Sequence, residues 1–329
     1  MTLKELMDEW LPQYQKMVAR HTYVNTFSRA KKLLADLGQS TDIGQLDRRR
    51  LSEYYNSLIH DEGYSNASVR LFKSTTRVMM DYAVDQEYLE YNPTAHLHIR
   101  FRRNEDRPLP QEKYFDDDEL KIILKFMYQQ SPHYGRFCEF LYLTGMRYGE
   151  AAALYPSDLI KGQDGTIQAH IWGTIIYDDG AKKQKNPKTP AGRRDIVLSS
   201  RAIQICRDEM ATHPNAPYIF SFGHDHPLAE TNLNHLLREC QKKYDIHKQV
   251  TLHIFRHTHI SKLAELGVPL YVIQHRVGHA SSEVTREIYL HVTNNARRKL
   301  EQKIEQLWWK KEPFFFDFTS LSDNLYTGG

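Results

Sequence analysis

The chain has 329 residues, 26% charged and 40% hydrophobic, an ordinary globular composition long enough for two domains of about 150 residues each. Lys+Arg 44 against Asp+Glu 41 leaves a formal charge of only +3, so any nucleic-acid role must rest on local basic patches rather than a global field. Cys138, Cys206 and Cys240 are dispersed and form no C-x-x-C pair, which excludes a disulfide scaffold and argues against a cysteine zinc site. No apolar run approaches the roughly 20 residues of a membrane helix, and residues 1–10 lack an apolar signal region; a cytoplasmic chain without a membrane partner is expected.

In chain order, the first hundred residues read as four short amphipathic helices. Thr2 with Glu5 forms a capping box ahead of Leu3, Leu6, Met7, Trp10, Leu11 and Tyr14 at helical spacing. A second helix places Tyr23, Phe27, Ala30, Leu34 and Leu37 on one face and stops at Gly38. Asp47 caps a third, with Leu51, Tyr54, Tyr55 and Leu58, and Gly63 ends it. The fourth begins near Ala67, carries Phe72, Thr76, Met79, Tyr82 and Ala83, and ends before Asn92-Pro93.

Residues 98–113 show two prolines and Arg100, Arg102, Arg103 and Arg107, with no apparent apolar periodicity. The expected role is an interdomain linker whose arginines serve as a solvated tether or lie along a phosphate backbone. Helical patterning restarts at Asp116 and Glu119, with Leu120, Ile123, Leu124, Met127 and Tyr128 as the apolar stripe. One strand is expected over 167–177, where Ile167, Ala169, Ile171, Gly173, Ile175 and Tyr177 alternate before the turn Asp178-Asp179-Gly180. A second extended piece at 194–198 alternates Ile196 and Leu198. Helices then resume around Ile203, Cys206 and Met210, around Leu233, Leu236, Leu237, Cys240 and Tyr244, and from His253 to Leu266. A basic helix with Arg297, Arg298, Lys299, Leu300, Ile304, Leu307 and Trp308 precedes an aromatic run at 314–318. The fold class is mainly α with a small inserted β-sheet.

Three places concentrate unusual polar residues. Gly145 and Gly149 flank Arg147 in Thr144-Gly145-Met146-Arg147-Tyr148-Gly149-Glu150, so a tight turn either presents Arg147 or lets it cap the preceding helix. In His253-Ile254-Phe255-Arg256-His257-Thr258-His259, His253 and Arg256 share a helix face, suited to proton transfer and oxyanion binding. His253 with His257 also has metal spacing, as has His275 with His279, but neither pair has the glutamate of H-E-x-x-H. For His257 and His259 a satisfied core histidine is the default reading. The third place runs from Val277-Gly278-His279 to Tyr289, where a single tyrosine among twenty is not selected by composition.

Taken together, these boxes resemble the tyrosine recombinase (phage integrase) family, in wording closest to Gram-positive phage and conjugative-element integrases. Thr144-Gly145-Met146-Arg147 resembles T-G-x-R, and Glu150 falls at the family's acidic position. Lys188-Thr189 ahead of Arg193-Arg194 resembles the segment bearing the catalytic lysine, favouring Lys188 over Lys182, Lys183 and Lys185. His253 to Arg256 matches H-x-x-R, Val277-Gly278-His279 matches L-G-H with Val for Leu, and Tyr289 follows at the nucleophile's distance.

The resemblance implies a helical core-binding domain at 1–97, a basic linker at 98–113 and a mixed α/β catalytic domain at 114–293. It also implies a tail at 294–329 that docks on a neighbouring subunit. Arg147, Lys188, His253, Arg256, His279 and Tyr289 would be catalytic, Glu150 would support them, and Arg100, Arg102 and Arg103 would contact DNA. No metal or cofactor is implied. The expected partners are att-like double-stranded DNA sites, a homotetramer on two of them, and accessory bending proteins. The sequence is expected to start directly at the core-binding bundle, with the amino-terminal arm-binding domain of many relatives either naturally absent or removed. Competing readings are a chromosome-dimer resolvase, a type IB topoisomerase-like enzyme, a catalytically silent DNA-binding protein and a metal-dependent nuclease.

Overall fold

The computed structural model describes residues 1–103, 109–177, 180–185, 192–222, 226–278 and 283–308. The chain divides into two compact units, Met1–Arg107 and Pro108–Gly329. Among the described residues no helix is long and apolar enough to cross a membrane. Arg107, the turn residues Asp178 and Asp179, the candidates Lys188 and His279, and the aromatic run 314–318 lie outside the described residues.

The first unit holds α1 (Leu3–Met17), α2 (Arg20–Leu37), α3 (Arg48–His60) and α4 (Asn66–Asp85). Local capping chemistry sets three of the starts. Thr2 and Glu5 exchange hydrogen bonds at α1, and Asp47 and Ser65 accept from backbone amides at α3 and α4. Leu6, Leu33, Leu51, Leu58, Val69 and Met80 fill the core. The buried Tyr55 hydroxyl donates to Thr76 at 2.7 Å, so a polar residue on the apolar stripe of α4 costs little. Phe27 departs from expectation: α2 buries Thr26, Ala30, Leu33, Leu34 and Leu37, and Phe27 stays 40% exposed.

Residues 98–102 are not free linker. Asn56 donates to the His98 carbonyl at 3.1 Å and accepts from the Arg100 amide at 2.7 Å. Asn66 does the same for Arg102, at 2.8 Å to its carbonyl and 3.0 Å from its amide. Leu97, Ile99 and Phe101 pack against the core of the first unit. The segment is a strap along that unit, because alternating apolar side chains bury one edge while two asparagines satisfy its backbone.

The second unit opens with a 3-10 turn at Pro110–Lys113, then α5 (Asp117–Gln130), α6 (Pro132–Thr144) and α7 (Tyr148–Ala152). The expected single strand is two: β2 (Ile167–Ile171) and β3 (Gly173–Tyr177) belong to different sheets. β2 lies between β1 (Leu159–Lys161) and β5 (Arg194–Val197), all antiparallel, while β3 pairs with β4 (Ala181–Lys185). At the break, the Trp172 indole donates to Asp158 at 2.6 Å, and Asp158 also holds the Lys183 ammonium of β4 at 2.5 Å. That buried pairing turns the chain from one sheet into the other.

Helix α8 (Ser200–Thr212), a two-residue hairpin of β6 (Ser221–Phe222) with β7 (His226–Pro227), and α9 (Glu230–Lys243) follow. α10 (Leu252–Glu265), α11 (Leu270–Val277) and α12 (Glu283–Trp308) complete the unit. α10 is buried on nearly every side. Phe255 joins the main core with Phe137, Phe140 and Phe220, whereas Ile260 joins a second core with Ile273, Val277, Ile288 and Val292. α12 runs unbroken through position 293, so Tyr289 and the basic stretch after it share one helix.

Candidate active site

Arg147 stands at the sharp turn between α6 and α7. Gly145 makes the turn at φ +67°, and a Cβ there would lie 2.4 Å from the His259 ring. Gly149 packs α7 onto β3, where a Cβ would lie 2.3 Å from the Thr174 hydroxyl oxygen. Both glycines flanking Arg147 are therefore steric requirements. The backbone amide of Arg147 donates to Glu150 at 2.9 Å and its guanidinium donates to the same carboxylate at 2.7 Å. The side chain remains 39% exposed, facing a cavity of about 570 Å³ that also takes in Tyr148, Thr174, Glu230 and His253. It is Arg256, not Arg147, that reaches the end of α6, donating to the Gly145 carbonyl at 2.7 Å.

Arg256 is only 1% exposed. Its second terminal nitrogen donates to the Val277 carbonyl, and Arg147 donates to the next carbonyl, Gly278, at 3.3 Å. The two guanidiniums are thus gathered at the negative end of α11, where Gly278 closes the helix at φ +70°. A guanidinium carries five donors, so carbonyl anchoring is compatible with binding an oxyanion. Burial, and then the charge of Arg147, push the Arg256 pKa down to about 9, still protonated at neutral pH.

Glu150 is the counter-ion. Its carboxylate accepts from Arg147 and, at 2.8 and 3.2 Å, from Arg194. Burial would raise its pKa, but the Arg194 hydrogen bonds and the surrounding positive charge outweigh that and hold it down to about 2. His253, on the first turn of α10, reaches the cavity surface. The protein packed around it lowers its pKa, and Arg256 and Arg147 add to that, so the imidazole is neutral and able to accept a proton.

Tyr289 is half-buried on α12, against the core shared by α10, α11 and α12. Tyr271, by contrast, is 72% exposed. Lys183 is sequestered by Asp158 and lies over the Trp172 and Tyr155 rings at 3.8 and 4.4 Å, which suits an anchor rather than a proton donor. Arg102 donates to the Ile59 carbonyl, so part of its capacity holds the first unit together, while Arg103 is exposed. Among the described residues no group of three or more His, Cys, Asp or Glu converges as a metal site. The His253 and His257 rings meet edge to face at 4.7 Å.

One supporting residue went unassigned at the level of sequence: Arg194, on β5, which alternation extended back from Ile196 and Leu198 puts on the buried face. His259 is a satisfied core histidine, as expected: its Nδ1–H donates to the Tyr142 carbonyl at 2.8 Å while Nε2 accepts from Arg276 at 3.0 Å. Arginine cannot accept, so the tautomer follows. Burial and the Arg276 charge push His259 down to about 3. An imidazole with a folded pKa below its unfolded value binds its proton preferentially when unfolded. Stability is therefore lost as pH falls from about 6.5 toward 3. The wild-type chain is expected to lose about 2 kcal/mol from this group between pH 6.5 and 5. Urea unfolding of His259→Gln should lack that slope; an identical slope would place the proton uptake elsewhere.

Comparison with known proteins gives four results. The model of the phage integrase family matches residues 113–296. The chain is 31% identical over 317 residues to the prophage ps2 probable integrase of Lactococcus lactis, covering 90% of this chain and 81% of that protein. Its fold is similar to the Tn1549 transposon integrase solved in complex with transposon right-end DNA, with a TM-score of 0.71 at 19% identity over 92% of this chain and 99% of that one. It is also similar in fold to a lambda integrase tetramer bound to a Holliday junction, at 0.66 and 18% identity over 88% and 77%.

Proposed function

The chain belongs to the phage integrase family, the tyrosine recombinases, and from that premise we propose that it integrates or excises a mobile element through a 3′-phosphotyrosine link formed by Tyr289. The observation that carries the reading is the pairing of Arg147 and Arg256 on adjacent carbonyls of α11, beside a neutral imidazole at a cavity rim.

In this reading the Tyr289 oxygen attacks the scissile phosphorus and the bond to the 5′ oxygen breaks. Arg147 and Arg256 neutralise the nonbridging oxygens as charge concentrates there, and His279 adds a further donor. A phenol has a pKa near 10, so its proton must be taken, and neutral His253 is the base. Lys188 protonates the departing 5′ oxygen. Glu150 orients the cations and does not react. The phosphotyrosine conserves the bond, so a 5′ hydroxyl from another strand can displace the tyrosine without ATP. The guanidinium pair takes the charge-stabilising role, so no metal enters the scheme. The alternatives separate by product: a silent binder leaves no denaturation-resistant adduct, and a topoisomerase-like enzyme relaxes supercoils without exchanging strands.

The partners are double-stranded att-like sites, held by both units, with Arg100 and Arg103 offering charge to the backbone and accessory bending proteins assisting. Two such sites would be joined by a homotetramer; the lambda integrase of similar fold was solved as a tetramer bound to a Holliday junction. Leu300 and Ile304, at 57% and 52% exposure, lie four residues apart on one face of α12 and are the described part of the docking surface. Truncation before Asn294 should leave DNA binding intact in a mobility-shift assay yet abolish the paired complex. A truncated chain that still pairs two duplexes would rule out this docking role.

A further inference from the structure

Three consecutive carbonyls at the end of α11 each receive a different arginine. Arg276 accepts from Nε of Arg194 at 2.7 Å, Val277 from Arg256, and Gly278 from Arg147. Arg194 is the member that belongs to neither arginine box. Its side chain is 2% exposed, and its terminal nitrogens clasp Glu150 and the Gly192 carbonyl at 3.1 Å. Like Arg147 itself, it touches both Glu150 and the helix end on which Arg147 and Arg256 rest, but from a buried position.

We propose that Arg194 is a positioning residue that sets the geometry of the phosphate-binding pair without touching DNA. The proposal rests on Arg147 and Arg256 being the phosphate ligands. Glu150 has two claimants, and its charge is shared between them. Remove Arg194 and the carboxylate turns wholly toward Arg147, drawing that guanidinium from the cavity. The same loss unties the Arg276 carbonyl, so the next two carbonyls shift with the last turn of α11. Both phosphate ligands are displaced by one change at a buried residue that stands behind the cavity lining, bonded to Glu150 and Gly192, and small displacements of such groups cost large factors in rate.

The test compares wild type, Arg194→Lys and Arg194→Met on a nicked duplex, with either an ordinary phosphodiester or a neutral methylphosphonate at the scissile position. A methylphosphonate lacks the charge that Arg147 and Arg256 would stabilise. Adduct formation on the phosphodiester should fall about 100-fold in the variants, with DNA affinity retained. On the methylphosphonate the loss should shrink to within about fivefold, because one nonbridging oxygen and its charge are gone and the transition state needs less oxyanion stabilisation. Equal losses on both substrates would mean that Arg194 supports folding alone, and would overturn the proposal. Crystal structures of Arg194→Lys without DNA give an independent reading. Arg147 is expected to leave the Gly278 carbonyl, and an unmoved Arg147 overturns the proposal even for a chain inert on DNA. A wild type that forms no adduct on either substrate would instead count against the recombinase reading, so the two failures are distinguishable.

Discussion

Tyr289→Phe should abolish the denaturation-resistant complex with a nicked att-like duplex, reducing it by roughly 10⁴-fold or more, while DNA binding persists. The substitution removes one oxygen and little else. The Tyr289 ring packs against the core where α10, α11 and α12 meet, and phenylalanine keeps that packing. Folding and DNA affinity are therefore internal controls, read by thermal melting and mobility shift. The competing nucleophile is Tyr271, which is far more exposed, on the first turn of α11. Should Tyr289→Phe form adduct at the wild-type rate and Tyr271→Phe lose it, the chemistry belongs to α11 and the assignment of α12 falls.

The second large effect is Arg256→Lys, expected to slow cleavage by about 10³-fold at neutral pH, the scale of losing a preorganised oxyanion donor. Arg256 spans two carbonyls, Gly145 and Val277, from a position almost without solvent contact. A lysine has one nitrogen and cannot bridge both while also meeting an oxyanion in the same plane. Charge adds a second defect. The burial and neighbouring positive charge that lower Arg256 to about 9 would act on a group starting about two units below arginine. The lysine variant should therefore lose activity progressively as pH rises through neutrality, whereas wild type should not. Single-turnover cleavage from pH 6 to 9 checks this. A variant within tenfold of wild type, with a flat ratio across that range, would remove Arg256 from the phosphate site.

Local signals carried much of the architecture. Capping at Thr2, Asp47 and Asp116 depends on neighbours within three residues, so those helix starts were legible without tertiary information. The strap at 98–102 was missed although its signal was present. Leu97, Ile99 and Phe101 alternate, but the arginines between them drew the reading toward a linker, and the asparagines that hold its backbone lie more than thirty residues away. The break at Trp172 had no such signal. Alternation continues through it, and what separates β2 from β3 is a hydrogen bond to Asp158, itself tied to Lys183 on another strand.

The same division runs through the site. Spacing within a helix put His253 and Arg256 on one turn, and the order of the boxes placed Arg147, Glu150 and Tyr289 in a family, because both are properties of a linear chain. Convergence is a different kind of fact. That Arg147 and Arg256 meet on adjacent carbonyls of α11, and that Arg194 joins them through Glu150, depends on helix ends brought together by the packing of α10 between two cores. Residue types and their order specify which chemistry is carried. The direction of a backbone carbonyl, which no side-chain pattern encodes, decides where the charges stand.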